Sequence, residues 1–177
     1  MIELLKKRRS IRKYKKVPLE GDKLDNLVKA LLLSPSGSNQ RPWEFILVTD
    51  RDLLETLSTV RKGSSVFLKD AALGIVLLGE SDRRDTWIED TTIAGILAQL
   101  TAHSMGLGSC WIHIRNRMYD STKSAEQFVK ELLEIPEQRS VESIIAVGYP
   151  DEQKEPYREE DLQYSKVYMN RYGLRYR

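Results

Sequence analysis

Ile88 to Met105 constrains this chain more than any other stretch. It reads as one long helix whose interior sets Ala94, Gly95, Ala98 and Ala102 among Ile93, Ile96, Leu97 and Leu100. Apolar residues therefore lie nearly all round it, and such a helix is expected to be buried on every side. With 177 residues the chain has the length of one domain with one real hydrophobic core. So short a chain has few elements left to cover a whole helix, and a partner subunit is the expected cover.

The remaining elements follow from periodicity and punctuation. Ile2, Leu4 and Leu5 predict a short helix ending near Ser10. After Pro18, the i, i+3, i+4, i+7 spacing of Leu24, Leu27, Val28, Leu31 and Leu32 predicts a second helix, stopped at Pro35. Trp43 to Thr49 reads as a strand, and Leu53, Leu54, Leu57 and Val60 as a helix face. Ala71 to Gly79 is almost continuously apolar and of strand length, which predicts burial on both faces. Gly106 and Gly108 end the long helix, and Ser109 to Ile114 is a third strand. Ser124 and Gln127 stand at capping-box spacing before a helix with Ala125, Phe128, Val129, Leu132 and Leu133 inward. Val141 to Tyr149 is a fourth strand, closed by Pro150. This order predicts an α+β or mixed α/β sandwich with a modest central sheet. Residues 151 to 177 are polar and Tyr-rich without apolar periodicity; they are expected to pack on another subunit, the alternative being a frayed terminus.

Several classes are disfavoured. No apolar run approaches the roughly 18 residues of a membrane span. The N-terminus has neither an apolar core nor a small-residue cleavage site, so no secretory signal is expected, and the single Cys110 points to a reducing cytoplasm. The net charge of +2 conceals eight Lys or Arg and no acid over residues 6 to 16, against a mostly acidic stretch over 151 to 161. A basic end on a near-neutral chain suggests a local anion site rather than a nucleic-acid surface.

Three segments could carry chemistry. Arg8, Arg9, Ser10 and Arg12 offer guanidinium forks and a hydroxyl suited to a phosphate, with a solvated charged face as the plain alternative. In the loop Pro35-Ser36-Gly37-Ser38-Asn39-Gln40, polar side chains can meet a polyol and Gly37 permits close approach; a helix-to-strand turn needs no more than this composition. Gly106-Leu107-Gly108-Ser109-Cys110-Trp111 superficially suggests a dinucleotide loop, yet no G-x-G-x-x-G follows a strand and no Walker phosphate loop occurs. His103 and His113 with one cysteine nominate no metal site, Cys110 has no adjacent base, and no catalytic side chain is expected. Chemistry supplied by a cofactor fits that inventory.

Taken together, RRSIRKY at 8–14, PSGSNQRPWEF at 35–45, GLGSCWI at 106–112, VGYPDEQKEPY at 147–157 and KVYMNRYG at 166–173 resemble the nitroreductase family, in its shorter bacterial and archaeal form. The resemblance implies a single nitroreductase-like domain over 1–177: a central, mostly antiparallel sheet flanked by helices, with the 151–177 tail exchanged onto the partner. It implies an FMN-dependent oxidoreductase acting as a cytoplasmic homodimer, with FMN at the subunit interface and no nucleic-acid or membrane partner. Arg8, Arg9, Ser10 and Arg12 would hold the flavin phosphate, joined by Lys154, with Arg158 as its rival. Pro35, Ser36, Ser38 and Asn39 would reach the flavin from the other subunit, and Trp111, Ile112 and His113 would run beside the ring. Some relatives place an Asn before the second strand; here Gly63-Ser64-Ser65 stands there. Longer relatives insert a helical excursion where this chain has only Glu80 to Trp87, which predicts a more open pocket. The implied activity is ping-pong: NAD(P)H reduces the flavin and leaves, and a small-molecule electron acceptor such as a nitroaromatic or quinone is then reduced. A non-catalytic flavin-binding or flavin-processing protein of the same fold is the alternative.

Overall fold

A computed structural model describes residues 1–82 and 85–177. Arg83 and Arg84, within the short 80–87 connection, lie outside the described residues. The elements are α1 (Ile2–Lys7), α2 (Gly21–Leu32), β1 (Trp43–Val48), α3 (Arg51–Leu57), β2 (Leu73–Gly79), α4 (Trp87–Ser104), β3 (Gly108–His113), α5 (Ala125–Leu132) and β4 (Ser140–Gly148), with short 3-10 turns between. Each expected helix and strand is found, its ends displaced by a few residues.

The four strands form one antiparallel sheet in the order β1-β2-β4-β3, as an α+β sandwich requires. β2 is buried along its whole length because both of its faces are covered. Leu73, Ile75 and Leu77 meet Leu27 and Leu31 of α2 and Ala94, Ala98 and Ala102 of α4. Val76 and Leu78 face the opposite layer with Leu54 and Leu57 of α3 and Ala125 and Val129 of α5. The cap of α5 is as expected, with Ser124 Oγ accepting from the Gln127 N–H at 3.0 Å.

The small residues of α4 let the helix settle close on the sheet. A Cβ at Gly95 would lie 2.7 Å from Leu77 and 2.8 Å from Trp111. The outward face is a different matter. Ile93 and Ile96 are each 38% exposed, and Leu97 and Leu100 are half-buried beside them. Burial of α4 on every side is thus not achieved within one chain: α2 and the sheet cover one face and leave an apolar stripe open.

The first part of the tail, from Asp151 to Glu159, runs along the N-terminal segment, where the Tyr157 N–H donates to Lys6 O at 2.9 Å and Lys6 pairs with Glu159 at 3.8 Å. Beyond that it bonds to itself. Tyr168 bridges to Arg175, the Tyr176 N–H donates to Val167 O, and the Arg177 guanidinium lies 3.4 Å from the centre of the Tyr164 ring. Tyr172 is 90% exposed. Among the described residues no helix is long and apolar enough to cross a membrane.

Candidate functional site

The N-terminal segment is fixed against β3 by two glycines. Gly106, at φ +77°, turns the chain out of α4 in a conformation that glycine adopts freely. Gly108 leaves room for Ile11, since a Cβ there would stand 2.8 Å from the Ile11 side chain. Ser10 consequently pairs in parallel with Ser109, and the Ile11 N–H donates to Ser109 O at 3.0 Å. The glycine segment serves to dock the basic segment. Further along, Tyr14 bridges to Pro150, the Asp151 N–H donates to Lys13 O at 2.8 Å, and the buried Tyr14 hydroxyl donates to Ile11 O at 2.6 Å. Burial pushes that phenol far above its ordinary pKa, so it remains a donor.

This zipper brings the residues after β4 to the basic segment. Arg8, Arg9, Ser10, Arg12, Lys154 and Tyr157 line one cleft of about 280 Å³. Arg9 donates to the Glu155 carbonyl and stacks on Tyr157, 4.5 Å from its centre. Lys154 pairs with Glu152 at 2.9 Å. The Glu152 carboxylate also accepts from the Arg12 N–H at 2.5 Å and the Lys13 N–H at 3.2 Å. Burial works to raise its pKa, but these donors and Lys154 hold it below the ordinary carboxylate range. Among the described residues, no carboxylate pairs with the guanidinium of Arg8, Arg9 or Arg12. Three cations with no counter-ion beside a hydroxyl and an ammonium can hold a phosphate or another compact anion. The rival Arg158 lies elsewhere, paired with Glu160 at 2.8 Å.

The Ser/Asn loop is built differently. Ser38, Asn39 and Arg41 have φ of 50°, 55° and 50°, a left-handed conformation uncommon for residues other than glycine. The loop is held by Asp90, a buried carboxylate in the first turn of α4, which accepts from the Gly37 N–H at 2.8 Å and from the Thr86 hydroxyl at 3.2 Å. Ser36 Oγ accepts from the Arg41 N–H at 2.7 Å. Pro35, Ser38 and Asn39 are exposed and Ser36 is half-buried. The loop therefore sits at the N-terminal end of α4, whereas the basic cleft adjoins His103 and Gly106 at its C-terminal end. The 18 residues of α4 span ~27 Å, so one chain does not bring loop and cleft together.

On β3, residues alternate between faces. Trp111 and His113 are half-buried on the α4 side, opposite Ile145 and Ser143, while Ile112 is buried in the other layer. Ile112 can offer a ligand only its backbone. β3 is an edge strand, so beyond the Ser10–Ser109 bridge its outer side is open. Ser65, in the stretch that replaces the relatives' Asn, is buried and donates to Ser58 O at 2.6 Å. Cys110 is buried and its thiol is pushed up by burial, which keeps it from acting as a thiolate.

Sequence reasoning missed Asp90, Glu142 and Glu152. All three are buried or nearly so and act on residues distant in sequence; Glu142 alone carries a clear local sign, an acid within an apolar strand, Val141-Glu142-Ser143-Ile144, whereas Glu152 stands among polar neighbours.

An antiparallel sheet layered by helices, with a basic cleft where the N-terminal segment meets the end of β4, defines an α+β protein of two helical layers about one sheet. The chain belongs to the nitroreductase family of oxidoreductases, whose model matches residues 5–64 and 57–149. It is similar to the FMN-dependent nitroreductase of Clostridium difficile R20291, at 51% identity and a TM-score of 0.95, covering 97% of this chain and 100% of that one. A Methanothermobacter thermautotrophicus protein provisionally named NADH dehydrogenase/NAD(P)H nitroreductase is 34% identical over 155 residues, 86% of this chain and 78% of that one. The NADPH-flavin oxidoreductase of Vibrio harveyi is 32% identical over 170 residues, 87% of this chain and 67% of that one.

Proposed function

We propose that this protein is an FMN-dependent oxidoreductase that takes electrons from NAD(P)H and passes them to a nitroaromatic, quinone or similar electrophile, with each FMN held between two copies of the chain. The observation that carries this reading is the cleft of uncompensated Arg8, Arg9 and Arg12 with Ser10 and Lys154. Its donor set fits a phosphate monoester, and it opens beside the free edge of β3. Arg8, Arg9, Ser10, Arg12 and Lys154 would hold the phosphate. Trp111, His113 and the backbone of Ile112 would flank the ring. Bound FMN would supply hydride transfer, alternately from NAD(P)H and to the acceptor in a ping-pong cycle.

The second copy is needed for two reasons. The exposed stripe of Ile93, Ile96, Leu97 and Leu100 wants an apolar cover. Two α4 helices packed antiparallel about a twofold axis would also carry Pro35, Ser36, Ser38 and Asn39 of one chain to the basic cleft of the other. The tail would then lie on the partner, against the groove of about 420 Å³ between α2 and the edge strand β1. Trp43 lines that groove, and its buried indole N–H meets no acceptor among the described residues. We read 1–177 as one domain with 151–177 as its arm, working in the cytoplasm.

The absorption spectrum of the purified protein, followed by flavin release and mass identification, tests the cofactor. NAD(P)H oxidation in the presence of menadione or a nitroaromatic tests the activity. A visible flavin spectrum, release of FMN and turnover with either acceptor are expected. Bound FMN without turnover would leave a flavin-binding protein instead. A colourless preparation that does not take up FMN would overturn the whole reading.

A further inference from the structure

At the far end of β3 from the phosphate cleft lies a second concentration of cations that the flavin reading does not use. Arg61 donates from Nη1 to the His113 carbonyl at 3.3 Å. Arg115 and Arg117 follow β3 on the turn after Ile114, where Asn116 takes a φ of 55°. Facing His113 from β4 is Glu142, which is 3% exposed. It sits at the irregularity between Leu78 and Leu77 pairing, where Val141 and Ser143 take the registered positions and Glu142 is the extra residue. Bulges of this kind re-aim a side chain. Glu142 Oε2 accepts from Arg115 Nε at 2.6 Å, and Oε1 stands 3.6 Å from His113 Nδ1.

The charges do not balance. One buried carboxylate serves Arg115, and among the described residues no carboxylate pairs with Arg61 or Arg117. The imidazole therefore sits in a net positive field: burial lowers its pKa, Glu142 works against that, and Arg117, Arg115 and Arg61 lower it further. Guanidinium groups without counter-ions near one strand end are suited to receive an anion. Place matters as well. From Ser109 to His113 is four strand steps, ~13 Å, along the open edge of β3. A molecule stacked on a ring that lies beside β3, with its phosphate at Arg12, would present its outer substituents here.

We propose that Arg61, which bonds the His113 carbonyl, and Arg117, on the turn that follows β3, form beside the His113–Glu142 pair an anion subsite that selects reacting molecules bearing a carboxylate or phosphate. This rests on the flavin reading for its position beside the reacting centre. The anion could belong to the acceptor or to the phosphorylated form of the nicotinamide donor, and two matched pairs separate these sources: 4-nitrobenzoate against 4-nitrobenzyl alcohol, and NADP+ against NAD+.

The chain carries only two histidines, so imidazole NMR titrations read both ends of the site separately. Burial lowers the pKa of His103, and the field of Arg8 and Lys7 lowers it further. Adding FMN to flavin-free protein should raise the His103 midpoint, and no change there counts against the phosphate cleft. In the FMN-loaded protein, the anionic member of at least one pair should raise the His113 midpoint while its neutral or less charged counterpart does not. The Arg61→Ala/Arg117→Ala double variant should abolish that response and raise KM for the same anionic molecule about tenfold, the equivalent of one lost charge-assisted bond. It should keep its FMN and leave KM for the counterpart unchanged. A His113 midpoint indifferent to both pairs, or a response that survives in the double variant, overturns the subsite. Flavin loss in that variant also overturns it, because the two arginines would then serve the cofactor.

Discussion

At the level of single residues, the site depends on a few atoms that make no contact with any ligand. Gly108 is one. Its missing Cβ lets Ile11 rest against β3, and Ile11 fixes where Ser10 and Arg12 stand. Gly108→Ala should displace that segment at a cost of ~1–3 kcal/mol from overpacking. FMN affinity should fall further than thermal stability does, as flavin fluorescence titration and a melting curve would reveal. Arg12→Ala should weaken FMN but leave riboflavin binding nearly untouched if, as proposed, the guanidinium addresses the phosphate alone; equal losses for both would contradict the assignment. Asp90 acts on the Ser/Asn loop, the proposed other half of the site. Asp90→Ala would release the Gly37 N–H and the left-handed loop with it, at ~1.5–3 kcal/mol for a charge-assisted bond. Denaturant unfolding of the variant measures that loss directly.

At the scale of elements, α4 organises the molecule. Its small residues pack on the sheet, its first turn holds the Ser/Asn loop through Asp90, and its last turn adjoins the basic cleft. The remaining face presents Ile93 and Ile96 to solvent. Ile96→Glu should therefore leave the far-UV circular dichroism of the fold unchanged and convert the protein to monomers that have lost FMN. A variant that stays dimeric would place the interface elsewhere. Periodicity made each of these elements legible: the continuous run of β2, the heptad-like face of α2 and the Ser124 cap all correspond to what formed. The all-apolar character of α4 was legible too, but not which of its faces one chain would leave open. That depends on where α2 lands, which is a tertiary fact.

For the whole molecule, the same division separates what could be read from what could not. Arg8, Arg9, Ser10 and Arg12 are adjacent in sequence, so their chemistry shows directly; Lys154 joins them only because Tyr14 and Lys13 zip onto the end of β4. Glu142, Glu152 and Asp90 escaped notice because a charged residue in sequence reads as surface, and only the folded chain shows Glu142 and Asp90 buried, Glu152 half-buried, each against distant donors. The tail follows a similar logic. It carries Val167, Met169, Leu174 and Tyr172 with little to bury them on its own chain. Removing residues 160–177 should weaken dimerisation, seen as dissociation at protein concentrations where the full chain remains paired.

Sedimentation of the purified protein, followed at the visible absorption band of flavin, tests the central claim most directly. The account predicts that the flavin travels with a two-chain particle at one FMN per chain, and that Ile96→Glu removes pairing and colour together. Flavin travelling with a single-chain particle, or a two-chain particle that takes up none, would contradict it.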